Sequence, residues 1–79
     1  MIEVFILIVV KPGNEEKVFN KLKDIPKVRE IYRLYGEYDI VVRIEVENIK
    51  ELDEFHDKIL RKIKEIEMTE TLIASPYRR

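Results

Sequence analysis

The chain has no cysteine and no tryptophan, and among its 79 residues it has one histidine, three prolines and two glycines. Without cysteine there is no disulfide and no thiolate metal site, and a lone histidine rules out an imidazole cluster. No cofactor or metal is therefore expected. No apolar run approaches the ~20 residues a membrane-spanning helix needs. The apolar stretch from Ile2 to Val10 has no basic flank before it and no small-residue cleavage site after it, so it does not read as a signal peptide, and a cytosolic protein is expected. An excess of charge of one sign is missing too. Fifteen Lys and Arg oppose sixteen Asp and Glu, a net charge of −1. That balance gives no global reason to seek nucleic acid or an acidic membrane.

What is present is apolar and charged residues, 46% and 39% of the chain. The length admits one domain, residues 1–79, and no second. So short a chain buries a modest share of its surface. Small domains usually add disulfides, a metal or oligomerisation. The residues for the first two are missing, so oligomerisation is the support expected. The Glu- and Lys-rich surface, with no Cys or Trp, leans towards a thermophilic source.

Val4 to Val10 is apolar at every position and rich in β-branched residues, which reads as a strand covered on both faces. Pro12 and Gly13 break it. Asn14 is placed as an N-cap ahead of Glu15 and Glu16, where the helix dipole favours anions. Val18, Leu22 and Ile25, with Phe19 beside them, predict a helix over about 15–23, closed by Pro26. "VREIYRLY" alternates, with Val28, Glu30, Tyr32 and Leu34 on one face and Arg29, Ile31, Arg33 and Tyr35 on the other. Gly36 marks a turn. In "DIVVRIEV" the set Ile40, Val42, Ile44 and Val46 should face helices, and Val41, Arg43 and Glu45 should face another sheet or solvent. Asn48 and Glu51 fit a capping box. A second helix carries Ile49, Leu52, Phe55, Ile59 and Ile63 on one stripe, with Lys50, Glu54, Lys58, Arg61, Lys62 and Glu65 mostly solvated. "MTETLIAS" is a fourth strand ended by Pro76, and the tail Tyr77-Arg78-Arg79 reads as loose.

The order is βαββαβ, with a faint internal echo between "LKDIPKVREI" and "IKEIEMTETL". A duplicated βαβ unit points to the ferredoxin-like α+β fold. Right-handed crossovers put both helices on one face of a four-stranded antiparallel sheet. The other face would expose a large apolar patch, which soluble monomers rarely do, so a face-to-face homodimer is expected.

The fold does not assign a function. An RNA-recognition module stacks bases on central-strand aromatics, and none lies between Asp39 and Val46. A metal chaperone needs a Cys pair in the first loop. An acylphosphatase-like site needs a glycine-rich anion loop with an arginine, and "KPGN" has one glycine and no arginine. His56 keeps a small dimeric barrel enzyme open as an alternative, although a general base needs an orienting partner and a cleft. It reads more simply as a helix-flank histidine.

The turn "YGEYD" carries more than a turn requires. Gly36 supplies a positive φ. Glu37 and Asp39 could be ordinary turn residues, with Tyr38 incidental. Equally, a carboxylate, a phenol and backbone amides there could hold a zwitterion, with Asp39 accepting from an ammonium. Thr69 and Thr71 could add hydroxyls, or could be ordinary strand residues.

The segment from "YGEYDIVVRIEV" to "MTETLI" resembles the effector-binding domain of the Lrp/AsnC, or feast/famine, regulators, also called the RAM domain. The resemblance covers essentially the whole chain. Its most specific part is Gly36-Glu37-Tyr38-Asp39 leading into an apolar strand, the family's G-x-x-D pattern. Thr69-Glu70-Thr71 resembles its last-strand T-x-T. The resemblance implies sheet-packed dimers that assemble into octamers, with an amino acid bound between dimers near Gly36, Glu37, Tyr38 and Asp39 and, on the less specific last-strand match, near Thr69 and Thr71. It implies a non-enzymatic role in transcription regulation. Most members place a helix-turn-helix before this domain. Here the first strand begins at Ile2, so a stand-alone effector domain is expected, without direct operator binding, which senses amino acids or co-assembles with full-length regulators. A pure assembly module is the other alternative, and an ACT-type domain is a near neighbour in fold.

Overall fold

A computed structural model describes residues 1–77; Arg78 and Arg79, with the expected loose tail end, lie outside the described residues. The elements are β1 (Ile2–Val10), α1 (Glu15–Lys23), β2 (Val28–Arg33), β3 (Ile40–Val46), α2 (Ile49–Lys58), a single 3₁₀ turn (Leu60–Lys62) and β4 (Ile66–Ile73). The sheet order is β2-β3-β1-β4 with every neighbour antiparallel. This is the expected ferredoxin-like α+β fold, with β2 and β4 at the edges. No helix among the described residues is long and apolar enough to cross a membrane.

Period-two alternation builds the core. Val4, Ile6, Ile8 and Val10 of β1 and Ile40, Val42, Ile44 and Val46 of β3 are buried on one face. Val18 and Leu22 of α1 and Leu52 and Phe55 of α2 close over them in one cluster. By register the opposite face carries Phe5, Leu7 and Val9 with Val41, Leu72, Met68 and Tyr32. Among the described residues of a single copy nothing packs over that face. Met68, Leu72 and Tyr32 are exposed there, and Phe5, Leu7 and Val9 are half-buried rather than covered. At its other end Arg43 reaches Glu30 (2.7 Å), Glu3 (3.0 Å) and Glu45 (3.3 Å).

Four local expectations need correction. First, β2 does not alternate simply. Val28 pairs with Ile44 and Glu30 with Arg43, so Arg29 is an extra residue, a β-bulge. The bulge turns both Val28 and Ile31 towards the core and leaves Glu30 and Tyr32 on the open face. Second, α2 stops at Lys58 and passes into the 3₁₀ turn. Residues three apart align in that tighter helix, so Leu60 joins Ile63 in the core, while Ile49 at the other end is 51% exposed. Third, Asn14 occupies the N-cap position of α1, but its side chain makes no capping bond and donates back to the carbonyls of Lys11 and Pro12. At α2 the Asn48 side-chain oxygen accepts from the Glu51 N–H at 2.9 Å, as expected, but Glu51 answers to the N–H of Glu47 rather than of Asn48.

The fourth concerns Glu65, which is buried, not solvated. Lys17 stands 2.9 Å from its Oε2 and Lys21 3.5 Å from Oε1. Its backbone carbonyl accepts from the Lys11 N–H at 2.9 Å. The Lys17 hydrogen bond, a backbone N–H and the two ammonium charges outweigh the opposing effect of burial and hold its carboxyl down at about 2. Glu65 thereby ties α1 and the β1–α1 loop to the start of β4.

Candidate functional site

The turn between β2 and β3 is built by a glycine and a clasp. Gly36 has φ +127°, a conformation L side chains rarely adopt, and a Cβ there would meet nothing within 4 Å. The glycine is therefore required by the backbone and not by close packing. Three residues later Asp39 is held on all sides. Its N–H donates to the Ile8 carbonyl (2.8 Å), and its own carbonyl accepts from the Leu34 N–H (2.9 Å). Its side-chain Oδ2 accepts from the Val10 N–H at 2.7 Å. That last bond satisfies a half-buried β1 amide just where β1 outruns its partner strand. Its length is that of a charge-assisted hydrogen bond.

Tyr38 sits between these fixed points. Its hydroxyl donates to the Glu70 carboxylate on edge strand β4. That hydrogen bond comes first, followed by partial burial and the nearby Glu70 and Glu37 charges, in holding the phenol proton more tightly than usual. By register Glu70 is opposite Leu7 and therefore on the open face. The turn thus faces the uncovered side of the sheet. Glu37 is exposed at its tip.

Thr69 and Thr71 lie elsewhere. They pair with Ile8 and Ile6, whose side chains face the helices. Both are half-buried, and Thr71 Oγ1 is 2.8 Å from His56 Nε2. In one copy the Tyr38 hydroxyl and the threonine hydroxyls therefore open to opposite faces of the same sheet. The structure brings Gly36, Glu37, Tyr38 and Asp39 together, adds Glu70 to them, and separates Thr69 and Thr71 from them. Glu70 went unnoticed in sequence because only the register reveals it; its place between the two threonines was the available signal, since alternate strand residues change face.

His56 borders a cleft of about 370 Å³ whose lining includes Leu60, Lys64, Ile66 and Thr69. Its hydrogen bond is to the Thr71 hydroxyl, not to an orienting carboxylate. Among the described residues no group of three or more His, Cys, Asp or Glu is arranged to hold a metal ion.

The chain is similar to known proteins over nearly its whole length. A family model described as the Lrp/AsnC ligand binding domain matches residues 3–75. The HTH-type transcriptional regulator FL11 of Pyrococcus furiosus is 42% identical over 69 residues, covering 87% of this chain and 45% of the regulator. The chain thus spans a little under half the length of such curated relatives. Among solved structures, FFRP-DM1 is 45% identical with TM-score 0.89, covering 95% of this chain and 100% of its own. TTHA0845 from Thermus thermophilus is 30% identical with TM-score 0.91, and each chain covers 100% of the other.

Proposed function

This chain belongs to the Lrp/AsnC ligand binding domain family, and on that premise we propose that it is an amino-acid-sensing regulatory domain that works as an oligomer and performs no chemistry. Its relatives are named as transcriptional regulators, and the role proposed here is to modulate transcription indirectly through assembly. The observation that carries the reading is the Gly36–Asp39 turn. It is locked by backbone and carboxylate bonds to β1 and aimed, through Tyr38, at the uncovered sheet face. A free amino acid needs an acceptor for its ammonium and donors for its carboxylate, and the turn offers carboxylates, a phenol and backbone amides.

The uncovered face supports self-association. Burying Phe5, Leu7, Val41 and Leu72 against a second copy would remove a contiguous apolar patch from water. Thr69 and Thr71 face away from the turn of their own copy, so their part in the pocket would be played towards the turn of a neighbouring copy. A dimer of sheets, extended to a higher oligomer such as an octamer, supplies such seams. Co-assembly with full-length regulators would use the same surfaces. An enzymatic reading resting on His56 is not favoured, because the ring's hydrogen bond goes to the Thr71 hydroxyl and not to an orienting carboxylate.

Isothermal titration against the proteinogenic L-amino acids tests the reading, with a thermal-shift screen as the first pass, since binding to the folded state raises stability by mass action. Heat and stabilisation from at least one amino acid are expected. Silence from all of them leaves an assembly module as the surviving account. Sedimentation should show dimers or larger species at micromolar chain concentration.

A further inference from the structure

The surroundings of Thr69 and Thr71 differ in charge from the β2–β3 turn. The turn carries Glu37 and Asp39, whereas the cleft beside the threonines is lined by His56, Arg61 and Lys64 against a single acid, Glu67. We infer that the outer edge of β4 and this cleft form a carboxylate-binding site. Thr69 and Thr71 receive the carboxylate with their backbone N–H groups and hydroxyls, Lys64 supplies the charge, and His56 is a positioning residue that orients Thr71. The ligand's ammonium is left to the acidic turn of a neighbouring copy. This inference rests on the amino-acid-binding reading above and divides that ligand between two copies.

The register fixes which way the β4 amides point. The Ala74 N–H donates to the Glu3 carbonyl at 2.9 Å, and the ladder runs without a slip from Val4 opposite Ile73 to Val9 opposite Met68. In an antiparallel pair, alternate residues turn their amides to the same side, so Leu72, Glu70 and Met68 also point theirs to β1. Thr69 and Thr71 therefore aim their N–H groups out of the sheet, where β4 has no neighbouring strand. Their side chains lie on the helix side. Thr71 Oγ1 is 2.8 Å from His56 Nε2. The tautomer that donates from Nε2 occupies a lone pair of that oxygen and leaves the hydroxyl proton for an acceptor. Arg61 is already drawn to Asp57 at 3.4 Å, but Lys64 has no ion-pair partner among the described residues. Amides, hydroxyls and an ammonium suit a carboxylate, which only accepts, and repel a ligand's ammonium, which only donates. The cleft, about 370 Å³, is of the size of a small-molecule site. A second copy packed on the open sheet face would cover the opposite side, so this rim stays reachable at a seam between dimers.

The experiment compares the wild type with Lys64→Gln, Thr71→Val, His56→Leu and His56→Gln. Each protein is titrated calorimetrically with the proteinogenic L-amino acids and with their primary amides, which keep the ammonium and lose the carboxylate. The wild type should prefer the acid by about tenfold or more, the scale of one charge-assisted contact. Lys64→Gln and Thr71→Val should each cut that preference about threefold or more, the scale of one lost hydrogen bond. His56→Leu should cut it as well, and His56→Gln, which keeps a donor, should restore most of it. Thermal melts identify any variant that fails to fold, and Lys64, being exposed, is the position where substitution disturbs packing least. An acid preference unchanged in Lys64→Gln and Thr71→Val would overturn the assignment. If the wild type binds no amino acid, the amino-acid reading falls, and the β4 rim is judged separately by amide NMR with acetate, against chloride at equal ionic strength. Acetate-specific shifts at the Thr69 and Thr71 amides would support the carboxylate site, and their absence would sink it.

Discussion

Replacing Gly36 by alanine isolates what the turn's backbone costs to hold. An alanine Cβ at this position would touch nothing within 4 Å, so no steric clash with neighbours contributes. What remains is the conformation itself, φ +127°, well beyond the left-handed helical region that asparagine tolerates near +57°. Holding an ordinary residue in such a sparsely populated region costs of order 1–3 kcal/mol. The turn cannot easily relax to escape that cost, because Asp39 fixes its exit to Ile8 and Val10 and Tyr38 fixes its flank to Glu70. We therefore expect Gly36→Ala to destabilise the fold by about 2 kcal/mol, within that range. For a domain of this size the loss is a melting-temperature drop of about 8–16 °C. Gly13 provides the control. It too has open space around it, but its φ is +88°, nearer to the left-handed region. Gly13→Asn should therefore be milder than Gly13→Ala, whereas Gly36→Asn should recover nothing over Gly36→Ala. Equilibrium unfolding in guanidinium chloride at one fixed chain concentration measures all four, the concentration being fixed because association adds to apparent stability. A loss below about 0.5 kcal/mol for Gly36→Ala, under the strain range, would refute the claim that the turn is rigidly held.

Three further outcomes follow from the fold. Asn48→Ala should cost about 1 kcal/mol through the lost helix cap, while Asn14→Ala, which removes no capping bond, should cost clearly less; equal losses in denaturant unfolding would contradict the assignment. The Glu65 carboxyl is lowered from 4.5 to about 2 in the folded chain. Its contribution is complete above the unfolded value and is lost as pH falls from about 4.5 towards 2. Glu65→Gln should flatten stability across that window, and an unchanged pH profile would show that Lys17 and Lys21 do not act on it. Leu7→Asp, in the middle of the open sheet face, should shift sedimentation towards monomer while circular dichroism stays that of the folded chain; unaltered mass would place the contact between copies on another surface.

The sequence was informative wherever one period governed a segment. Ile40, Val42, Ile44 and Val46 could be assigned to the core because β3 is a regular central strand, and all four are fully buried. The stop of α1 at Lys23 followed from Pro26 in the same way. Reading failed where one residue changed the phase. Arg29 is inserted into β2, and the tight turn at Leu60–Lys62 replaces the last turn of α2, so counting on from a correct start put Val28 on the face of Glu30 and Tyr32 and left Leu60 out of the core stripe. Glu65 was misplaced because a glutamate before a strand has the composition of surface, and only the approach of Lys17 and Lys21 from another element compensates its burial. In the candidate site, Gly36 to Asp39 were legible as a contiguous motif. Glu70 was not, because its closeness to Tyr38 spans 32 positions of chain and depends on the whole sheet order.

The inserted Arg29 has a further consequence. Were Arg29 paired in register instead of bulged, Glu30 and Tyr32 would fall opposite Val42 and Ile40, beneath the helices, and Ile31 would swing out opposite Val41 to the far side. Arg43 would then lose its 2.7 Å partner. The external chemistry of a whole edge, including which groups greet an approaching molecule, is thus decided by a count of one. A change that draws Arg29 into the ladder, or an insertion between Glu30 and Tyr32, would rewrite who this protein can meet far more sharply than most substitutions there.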